Sequence, residues 1–388
     1  KEAVDGPVFL GIRNITDDGA LDLSEIRHVS EEEYPRWIRR VTPQAGDVVF
    51  TYEATLHRYA IIPEGFRGCL GRRVALVRPD PDQVNSRYLL YFFLSRSWRQ
   101  VIERNVITGA TVDRIPLEKF PSFLAALPML RVQQQIAGIL SAYDDLIENN
   151  RRRMALLEEA ARQLYREWFV RLRFPGHEHT RITNGVPEGW RKVSLGEIAS
   201  KIRSGFTPRG GESAYLSEGT PLIRSLNVYD DRFEDEGLAF VSEDHAAALA
   251  GVTVESRDIL LNITGASVAR CCMAPERHLP ARVNQHVMII RVDSEEADPF
   301  FVHKAINSDE RKRQLLSYSQ KGSTREALTK EMIAGFKIVL SPETLMRQFG
   351  ELASASFRQR EFLALQNQKL RAARDLLLPR LMSGEIAV

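Results

Sequence analysis

Few side chains in this sequence have the types and the spacing that catalysis or metal binding would require. His177 and His179 could bind a metal ion together, but no third ligand lies near them in the sequence. Residues 205–211 are rich in glycine but lack the Lys-Ser/Thr pair of a phosphate-binding loop. Asp80 and Asp82 would indicate a nuclease only if a lysine-bearing strand followed them, and none does. The sequence therefore predicts no catalytic site, no metal site and no bound cofactor, so we expect a protein that is not an enzyme.

The composition indicates a globular protein of more than one domain. A length of 388 residues suits two or three domains. The formal net charge of +2 gives no global electrostatic preference for nucleic acid. The three cysteines, Cys69, Cys271 and Cys272, form neither a disulfide framework nor a metal-binding pair. Because no leader and no apolar run near the ~20 residues of a membrane span is found, we expect a cytoplasmic protein without a membrane partner.

An internal repeat organises the chain. Four pairs of similar segments occur in the same order: residues 9–15 and 221–227, 46–50 and 257–261, 73–78 and 286–291, and 109–111 and 322–324. Alignment of Ile12 with Ile223 separates the first pair by 211 residues, as in the second pair (258 minus 47), and the last two pairs are separated by 213 (286 minus 73). Residues 187–219 have no counterpart, because the first copy would need them before Lys1. We therefore expect the start of the first domain to be missing.

The local patterns predict the elements that each copy contains. Short runs of Val, Ile and Leu between turn residues predict strands over 47–51, 74–78, 258–263 and 287–292. Apolar residues at helical spacing predict a helix over 86–103 in the first copy and over 299–316 in the second. Each copy is therefore predicted to be a mixed domain, and the fold class is α+β.

Each copy is followed by a long helical pattern that begins after a proline, Pro128 or Pro342. The first pattern carries a heptad of apolar residues up to Trp168 with one stutter at Asn150, and the second is compatible with it. A helix over 131–173 would be about 65 Å long. Because one apolar stripe cannot stabilise a lone helix, we predict an antiparallel coiled coil of the two, with charged outer faces, joining domains related by a pseudo-two-fold repeat.

These patterns divide the chain into five segments. They are a first recognition domain over 1–128, a long helix over 129–174, a linker over 175–186, a second recognition domain over 187–341 and a second long helix over 342–388.

Several of these segments resemble one protein family. Residues 133–150, continuing over 164–170, are similar to the central conserved helix of the specificity (S) subunits of Type I restriction-modification enzymes, and residues 370–386 to the distal one. Residues 187–198 and 205–208 resemble the opening of a recognition domain in that family. The resemblance extends over essentially the whole chain.

The resemblance implies a DNA-binding subunit without catalytic activity. In this family two target-recognition domains each read one half of a bipartite sequence in double-stranded DNA, and the helix pair sets the spacer between the halves. The subunit recruits two adenine methyltransferase subunits that use S-adenosylmethionine and, where they exist, two translocase and nuclease subunits that use ATP and Mg. The helical regions of the family carry the methyltransferase contacts, which here predicts contacts by Tyr143, Asn150, Tyr165, Trp168, Phe169 and Leu377.

Polar residues on the loops of each copy are the candidates for DNA contact. Arginine, amide and hydroxyl side chains reach phosphates and base edges, and glycine lets backbone amides approach a phosphate closely. In the first copy the candidates are Arg13, Asn14, Tyr52, Glu53, Arg72, Arg73, Thr108, Gly109, Thr111 and Arg114. In the second copy they are Thr207, Arg209, Arg224, Asn227, Asn262, Thr264, Gln285, His286, Gly322, Ser323, Thr324 and Arg325.

Two alternatives stay open at this point, one of them an enzyme with an unrecognised site that would copurify with a cofactor or metal. Two similar domains on a helical rod could also form a scaffold that binds proteins and does not recognise DNA. The sequence leaves open which bases would be read, how long the spacer is and whether a nuclease partner exists.

Overall fold

The computed structural model describes residues 2–109, 112–183, 185–208, 210–319 and 327–388. The chain forms two compact units: unit 1 is Lys1–Asn149 with Asn367–Val388, and unit 2 is Asn150–Gln366. Each of the two long helices contributes one part to each unit.

The strands of unit 1 form two small sheets. They are β1 (Glu2–Leu10), β2 (Arg27–Val29), β3 (Val48–Thr51), β4 (Tyr59–Ile61), β5 (Gly68–Leu70) and β6 (Val74–Val77). The sheet orders are β2-β1-β5 and β4-β3-β6. β1 is parallel to β5, and β3 is antiparallel to both of its neighbours. All four residues of β3 are buried, which is why its sequence is a continuous apolar run ending in a threonine.

The helices of unit 1 pack against both of these sheets. They are α1 (Tyr34–Trp37), α2 (Ser86–Leu94), α3 (Arg96–Asn105) and the first part of α4 (Leu130–Tyr165). The single helix predicted over 86–103 is two helices. Ser95 has an extended backbone at φ −71° and ψ 155°, and its hydroxyl accepts a hydrogen bond from the backbone N–H of Trp98, so it begins a new helix.

The strands of unit 2 form larger sheets. They are β7 (Ile182–Thr183), β8 (Val186–Pro187), β9 (Arg191–Ser194), β10 (Ala199–Ser204), β11 (Thr220–Ile223), β12 (Val228–Tyr229), β13 (Arg232–Phe233), β14 (Ala239–Val241), β15 (Thr253–Val254), β16 (Ile259–Asn262), β17 (Cys271–Met273), β18 (Ala281–Val283), β19 (Val287–Val292) and β20 (Lys337–Leu340). Two sheets have four strands, in the orders β10-β19-β16-β17 and β14-β11-β18-β15. The pairs β12-β13, β20-β9 and β7-β8 complete the strand pairing of the described residues.

The helices of unit 2 repeat the arrangement seen in unit 1. They are α5 (Leu195–Ile198), α6 (Glu243–Ala248), α7 (Pro299–Asn307), α8 (Asp309–Ser319), α9 (Lys330–Ala334) and α10 (Glu343–Met382). The helix predicted over 299–316 is again two helices, because Ser308 has an extended backbone. The α+β class predicted from the sequence is confirmed, as are the two long helices.

The two units contain the same strand pairings in the same order. In unit 1, Val48 pairs with Val77 and Thr51 with Val74. In unit 2, Ile259 pairs with Ile290, which preserves both predicted offsets, 211 for 259 minus 48 and 213 for 290 minus 77. The parallel pair β1-β5 of unit 1 corresponds to β11-β18 of unit 2.

One predicted offset differs in the structure. Asn14 accepts a hydrogen bond from the N–H of Gly11 on its side-chain Oδ1 at 3.0 Å, and Asn227 accepts one from the N–H of Arg224 at 3.0 Å. These equivalent asparagines are 213 residues apart (227 minus 14), whereas the sequence comparison of 9–15 with 221–227 indicated 211.

The long helices pack together in an antiparallel sense in unit 1. A guanidinium nitrogen of Arg374 on α10 donates to the Asp144 carboxylate on α4 at 2.6 Å. One turn further along α4, the carbonyl of Ile147 accepts from the side-chain amide of Asn367 at 3.3 Å. Residue numbers therefore rise along α4 as they fall along α10.

The same antiparallel sense is found in unit 2. The side-chain amide of Asn150 donates to Gln366 at 3.1 Å, and Glu158 forms an ion pair with Arg360. Glu158 also contacts Lys304 on α7, so buried charges fasten both long helices to the domain of unit 2. After α4 the helix continues as one π-helical turn, Arg166–Val170, close to the end predicted at residue 173.

Two further features concern the environment of the chain. None of the helices in the described ranges is both long and apolar enough to cross a membrane.

Cys69, Cys271 and Cys272 are buried free thiols. Burial raises the pKa of Cys69 to about 11, so this thiol is unreactive near neutral pH.

Candidate nucleic-acid interface

An ion pair with a buried carboxylate forms the frame of the candidate interface in unit 1. The carboxylate of Asp47, just before β3, accepts two hydrogen bonds from Arg78, just after β6, each at 2.7 Å. The same carboxylate accepts the backbone N–H of Gln44 at 2.8 Å, and Arg78 donates to the carbonyl of Thr42 at 2.9 Å. The frame therefore locks one end of the β3-β6 pair and leaves the other end to carry the loops.

The identical frame occurs in unit 2. The carboxylate of Asp258 accepts two hydrogen bonds from Arg291, each at 2.8 Å, and the backbone N–H of Glu255 at 2.7 Å. Arg291 donates to the carbonyl of Thr253 at 3.0 Å. Sequence reasoning did not single out these two ion pairs. The signal was present, because both aspartates and both arginines are identical in the two copies.

Four predicted candidates meet at the opposite end of the β3-β6 pair in unit 1. The Nε of Arg73 donates to Glu53 at 3.1 Å, and the Arg73 side chain is 50% exposed. The Tyr52 hydroxyl donates to the backbone carbonyl of Arg72. Antiparallel pairing of β3 with β6 explains this meeting, since residues after one strand lie beside residues before the other.

The predicted turn after α3 also reaches this end of unit 1. Arg114 pairs with Ile107 through two backbone hydrogen bonds of 2.9 and 3.1 Å, and it forms a β-bridge with Glu53. Thr108 and Gly109 are exposed on the same turn. A Cβ atom on Gly109 would lie 2.5 Å from the carbonyl oxygen of Val112, so the turn requires glycine there. Thr111 lies outside the described residues.

The corresponding end of unit 2 brings together four predicted candidates. Thr264 and His286 are joined by a hydrogen bond of 2.6 Å between Oγ1 and Nδ1. The Gln285 amide lies 3.0 Å from Nε2 of His286 and accepts a hydrogen bond from the Thr207 hydroxyl. Gly322, Ser323, Thr324, Arg325 and Arg209, the remaining candidates on the loops of this unit, lie outside the described residues.

The Thr207 loop of unit 2 is held in place by one glycine. The backbone N–H of Gly205 donates to the carbonyl of Asn284 at 3.1 Å. A Cβ atom at this position would lie only 1.7 Å from the carbonyl oxygen of Val283. Because only glycine permits this approach, the loop is positioned directly against the segment that carries Gln285.

Three predicted asparagines are buried inside the units. Asn14 and Asn227 each close a 3-10 turn, and Asn227 also donates to the carbonyl of Glu234 at 3.0 Å. Asn262 donates to the carbonyl of Ser225 at 2.8 Å. These amides support the loops from within. Their contact with DNA stays a prediction.

Two predicted arginines sit beside those asparagines with different surroundings. Arg13 is exposed. Arg224 is half-buried, with its guanidinium 4.9 Å from the ring centroid of Tyr215 and a hydrogen bond of 2.6 Å to the carbonyl of Gly237. Arg13 is therefore the more accessible of the two.

The residues predicted to contact methyltransferase subunits are mostly internal. Asn150 is buried, and Phe169 lies in an aromatic cluster with Tyr165 and Trp168 in unit 2. Tyr143 and Leu377 of unit 1 are half-buried. These positions shape the helix pair, and direct contact with a partner stays a prediction.

Large apolar side chains, by contrast, are exposed along the long helices. Leu146 and Leu352, both predicted to lie in the apolar seam, are 49% and 52% exposed, and Leu376 is 65% exposed. The outer faces are therefore not charged throughout, as the sequence suggested. The heptad pattern did not predict this exposure, because an apolar residue on a long helix can pack either against the other helix or against a domain.

A cluster of charged and titratable side chains in unit 2 surrounds Asp231, in the turn of the hairpin β12-β13. Asp231 accepts a hydrogen bond from Lys304 at 2.9 Å, and His303 lies 3.4 Å from the same carboxylate. Burial lowers the pKa of His303 to about 3, so this imidazole is neutral near pH 7. No group of three or more His, Cys, Asp or Glu side chains in the part of the chain that the structure describes could hold a metal ion.

Several known proteins are similar in sequence to this chain. A family model described as the Type I restriction modification DNA specificity domain matches residues 32–159. The specificity subunit of the MjaIX Type I restriction enzyme of Methanocaldococcus jannaschii is 25% identical over 386 residues, covering 93% of this chain and 82% of that protein. The HindI specificity subunit of Haemophilus influenzae is 18% identical over 373 residues, covering 80% of each.

A solved structure shares the fold. The S subunit of a Type I restriction-modification system from M. genitalium superposes with a TM-score of 0.55 at 15% identity, covering 98% of this chain and 93% of that one.

The domain match and the full-length relatives define a class of protein, the DNA-specificity proteins. Within that class, the chain is similar to the specificity subunits of Type I restriction-modification enzymes over most of its length. This similarity favours DNA recognition over a protein scaffold as the interpretation of the sequence.

Proposed function

We propose that this subunit reads an asymmetric bipartite sequence in double-stranded DNA, one half with each unit. Residues 1–128 and 187–341 form the two target-recognition domains. The linker over 175–186 and the long helices over 129–174 and 342–388 set the unread spacer. The observation that carries this proposal is the repeated Asp–Arg frame, which presents chemically different side chains at equivalent loop positions.

Equivalent backbones with different loop chemistry suit two half-sites of different sequence. Glu53 and Arg73 in unit 1 occupy the positions that Thr264 and His286 occupy in unit 2, and each pair is joined by a hydrogen bond. Side chains of these types contact phosphates and base edges. A single unit duplicated without such changes would read a symmetric site.

The long helices dock the partner subunits in this proposal. Two methyltransferase subunits bind along them and use S-adenosylmethionine to methylate adenines. Two translocase and nuclease subunits that use ATP and Mg join where such a partner exists. Exposed leucines such as Leu376 give the helices apolar surface for such contacts. The assembly acts on DNA in the cytoplasm.

A domain exchange tests the proposal. Residues 185–340 are replaced by the corresponding segment of another specificity subunit, and the hybrid is produced with its methyltransferase. Sequencing of methylated adenines on plasmid DNA should show one half of the site changed and the other half and the spacer unchanged. The matched control exchanges the same segment for itself through the same cloning junctions. If both halves change together, the two units do not read independently and the proposal is wrong.

A further inference from the structure

We propose that the dipeptide before β6 and before β19 is the base-reading position of each unit, with Arg73 binding a guanine and Gln285 binding an adenine. This inference rests on the proposed function and assigns chemistry to it.

The two dipeptides occupy the same place in the repeat. Arg72 and Arg73 precede the first residue of β6, and Gln285 and His286 precede the first residue of β19, at the offset of 213 (285 minus 72). Arg72, Arg73 and Gln285 are exposed. The Asp–Arg frame at the other end of each strand pair fixes the backbone beneath them. The side chains can therefore differ without altering the strands.

In unit 1 only the Nε of the Arg73 guanidinium forms a hydrogen bond with a described residue. Its Nε donates to Glu53 at 3.1 Å, and the structure shows no bond from its two terminal nitrogens to another described residue. The backbone of Glu53 is held by its β-bridge to Arg114. The terminal nitrogens present parallel donors, which match the O6 and N7 acceptors of guanine in the major groove.

A carboxylate beside Arg73 argues against a phosphate contact. Glu53 lies 3.1 Å from the guanidinium and would repel a phosphate oxygen brought to the same group. A guanine edge carries no net charge and is free of this penalty. The Glu53–Arg73 pair therefore fits a base edge better than the DNA backbone.

In unit 2 the hydrogen bonds fix the orientation of the Gln285 amide. The Thr207 hydroxyl donates to its Oε1. Its Nε2 donates to Nε2 of His286 at 3.0 Å, because an amide nitrogen cannot accept. His286 must then carry its proton on Nδ1, which donates to Thr264 at 2.6 Å.

This network leaves the Gln285 amide with one donor and one acceptor to spare. The Oε1 has a second lone pair, and Nε2 has a second hydrogen. Together they match the N6 donor and the N7 acceptor of adenine, the bidentate pairing that glutamine makes in the major groove. The side chain is neutral, so it adds little to nonspecific attraction for phosphates.

The experiment measures base preference at every position of the site. The protein is produced with its methyltransferase, and methylation is read on a plasmid library with randomised half-sites. Arg73→Lys and Gln285→Arg are compared with the wild type. Lysine keeps the charge but loses the two-pronged donor geometry, so Arg73→Lys should lower methylation of the guanine-containing site about 5- to 150-fold relative to other bases. Gln285→Arg should change the preferred base at one position of the other half.

Matched controls separate base reading from general loss of binding. Arg36→Lys alters an exposed arginine on α1 of unit 1, and Gln163→Arg alters an exposed glutamine on α4 in unit 2. Both controls should keep the wild-type preference at all positions. Thr207→Ser keeps the hydroxyl and should keep the adenine preference, whereas Thr207→Ala should weaken it.

The outcomes distinguish this inference from the proposed function. If Arg73→Lys and Gln285→Arg leave every base preference unchanged while the domain exchange still transfers a half-site, the dipeptides are not the readers and the inference is overturned. If both variants change only the salt dependence of binding, the contacts are to phosphates and it is also overturned. If the wild type shows no bipartite site, the proposed function itself has failed.

Discussion

Unit 1 and unit 2 agree in the residues that hold the strands and differ in the residues that the strands present. Asp47 and Arg78 form four hydrogen bonds, two with each other and two with the backbone. Asp258 and Arg291 form the equivalent four. At the other end of the strands, the pair Glu53–Arg73 is replaced by Thr264–His286. The frame and the surface proposed to contact DNA are therefore separable, which is what a protein with changeable specificity requires.

The units also differ in how their cores are built around the long helices. Ile136 of α4 and Phe349 of α10 are equivalent at the offset of 213 (349 minus 136), and both are buried. Phe349 packs against Tyr165, Phe169 and Phe301 with ring centroids 5.7, 5.3 and 6.3 Å away. The equivalent position in unit 1 is filled by a smaller aliphatic side chain.

The largest effect expected from this difference comes from Phe349→Ala. The substitution leaves a cavity in the aromatic cluster and should reduce the free energy of unfolding of unit 2 by about 3–5 kcal/mol. Hydrogen exchange followed by mass spectrometry should show faster exchange in β16 and β19. Ile136→Ala is the matched variant in unit 1, with an expected cost of about 2–5 kcal/mol and faster exchange in β3 and β6. Equal loss of protection in both units from either substitution would contradict separate cores.

A somewhat smaller effect is expected from breaking the frame, and it should differ between the units. Asp258 is fully buried and its partner Arg291 is 20% exposed, whereas Arg78, the partner of Asp47, is 44% exposed. Removing one partner of a buried pair leaves an uncompensated charge, so Asp258→Ala should cost about 3 kcal/mol. Asp47→Ala should cost about 1.5–3 kcal/mol, because Arg78 can be solvated by water. Urea unfolding of both variants measures the difference, and a larger cost for Asp47→Ala would show that exposure does not set the penalty.

The smallest effect concerns the cap of the first helix after the frame. Asn85 caps α2 in unit 1, and Asp298 caps α7 at the equivalent position in unit 2. Burial raises the pKa of Asp298 above its usual value, so the folded state holds the proton more tightly than the unfolded state. This carboxyl group therefore stabilises the fold below its unfolded pKa and loses that contribution as the pH rises through its folded pKa.

Asp298→Asn should consequently raise the free energy of unfolding at pH 7.5 by on the order of 1 kcal/mol or less, since the amide caps the helix without a buried charge. The gain should shrink as the pH is lowered, because the raised pKa lets Asp298 take up a proton and lose its buried charge. Thermal melts at the two pH values measure this, with Asn85→Ala as the control that loses a cap outright. A gain that is the same at both pH values would mean that ionisation of Asp298 is not its cause.

Much of the fold could be predicted because it depends on local pattern. The strand predicted over 287–292 is β19, Val287–Val292, and the helix predicted to begin at residue 131 begins at Leu130. The repeat located the paired strands because equal sequences at constant offset must fold alike. The breaks at Ser95 and Ser308 were missed, since a serine that starts a new helix is masked by apolar spacing on both sides.

The candidate interface was less predictable than the fold. Loop position alone did not separate exposed Arg13 from buried Asn14, its neighbour in the sequence. The contact of Glu53 with Arg73 depends on the register of the directly paired strands β3 and β6, and the contact of Thr207 with Gln285 joins residues 78 apart in the chain. Such contacts are set by packing and not by spacing.

The amino-acid sequence by itself determined the duplication, the α+β class, the two long helices and the resemblance to Type I specificity subunits, because each of these depends on patterns within short segments. The tertiary structure decided which polar side chains support the loops and which face outward. It also decided that an aspartate and an arginine identical in both copies form the frame. The physical reason is that burial and hydrogen-bond partners arise only when distant segments pack together, and those two quantities determine what a polar residue is free to bind.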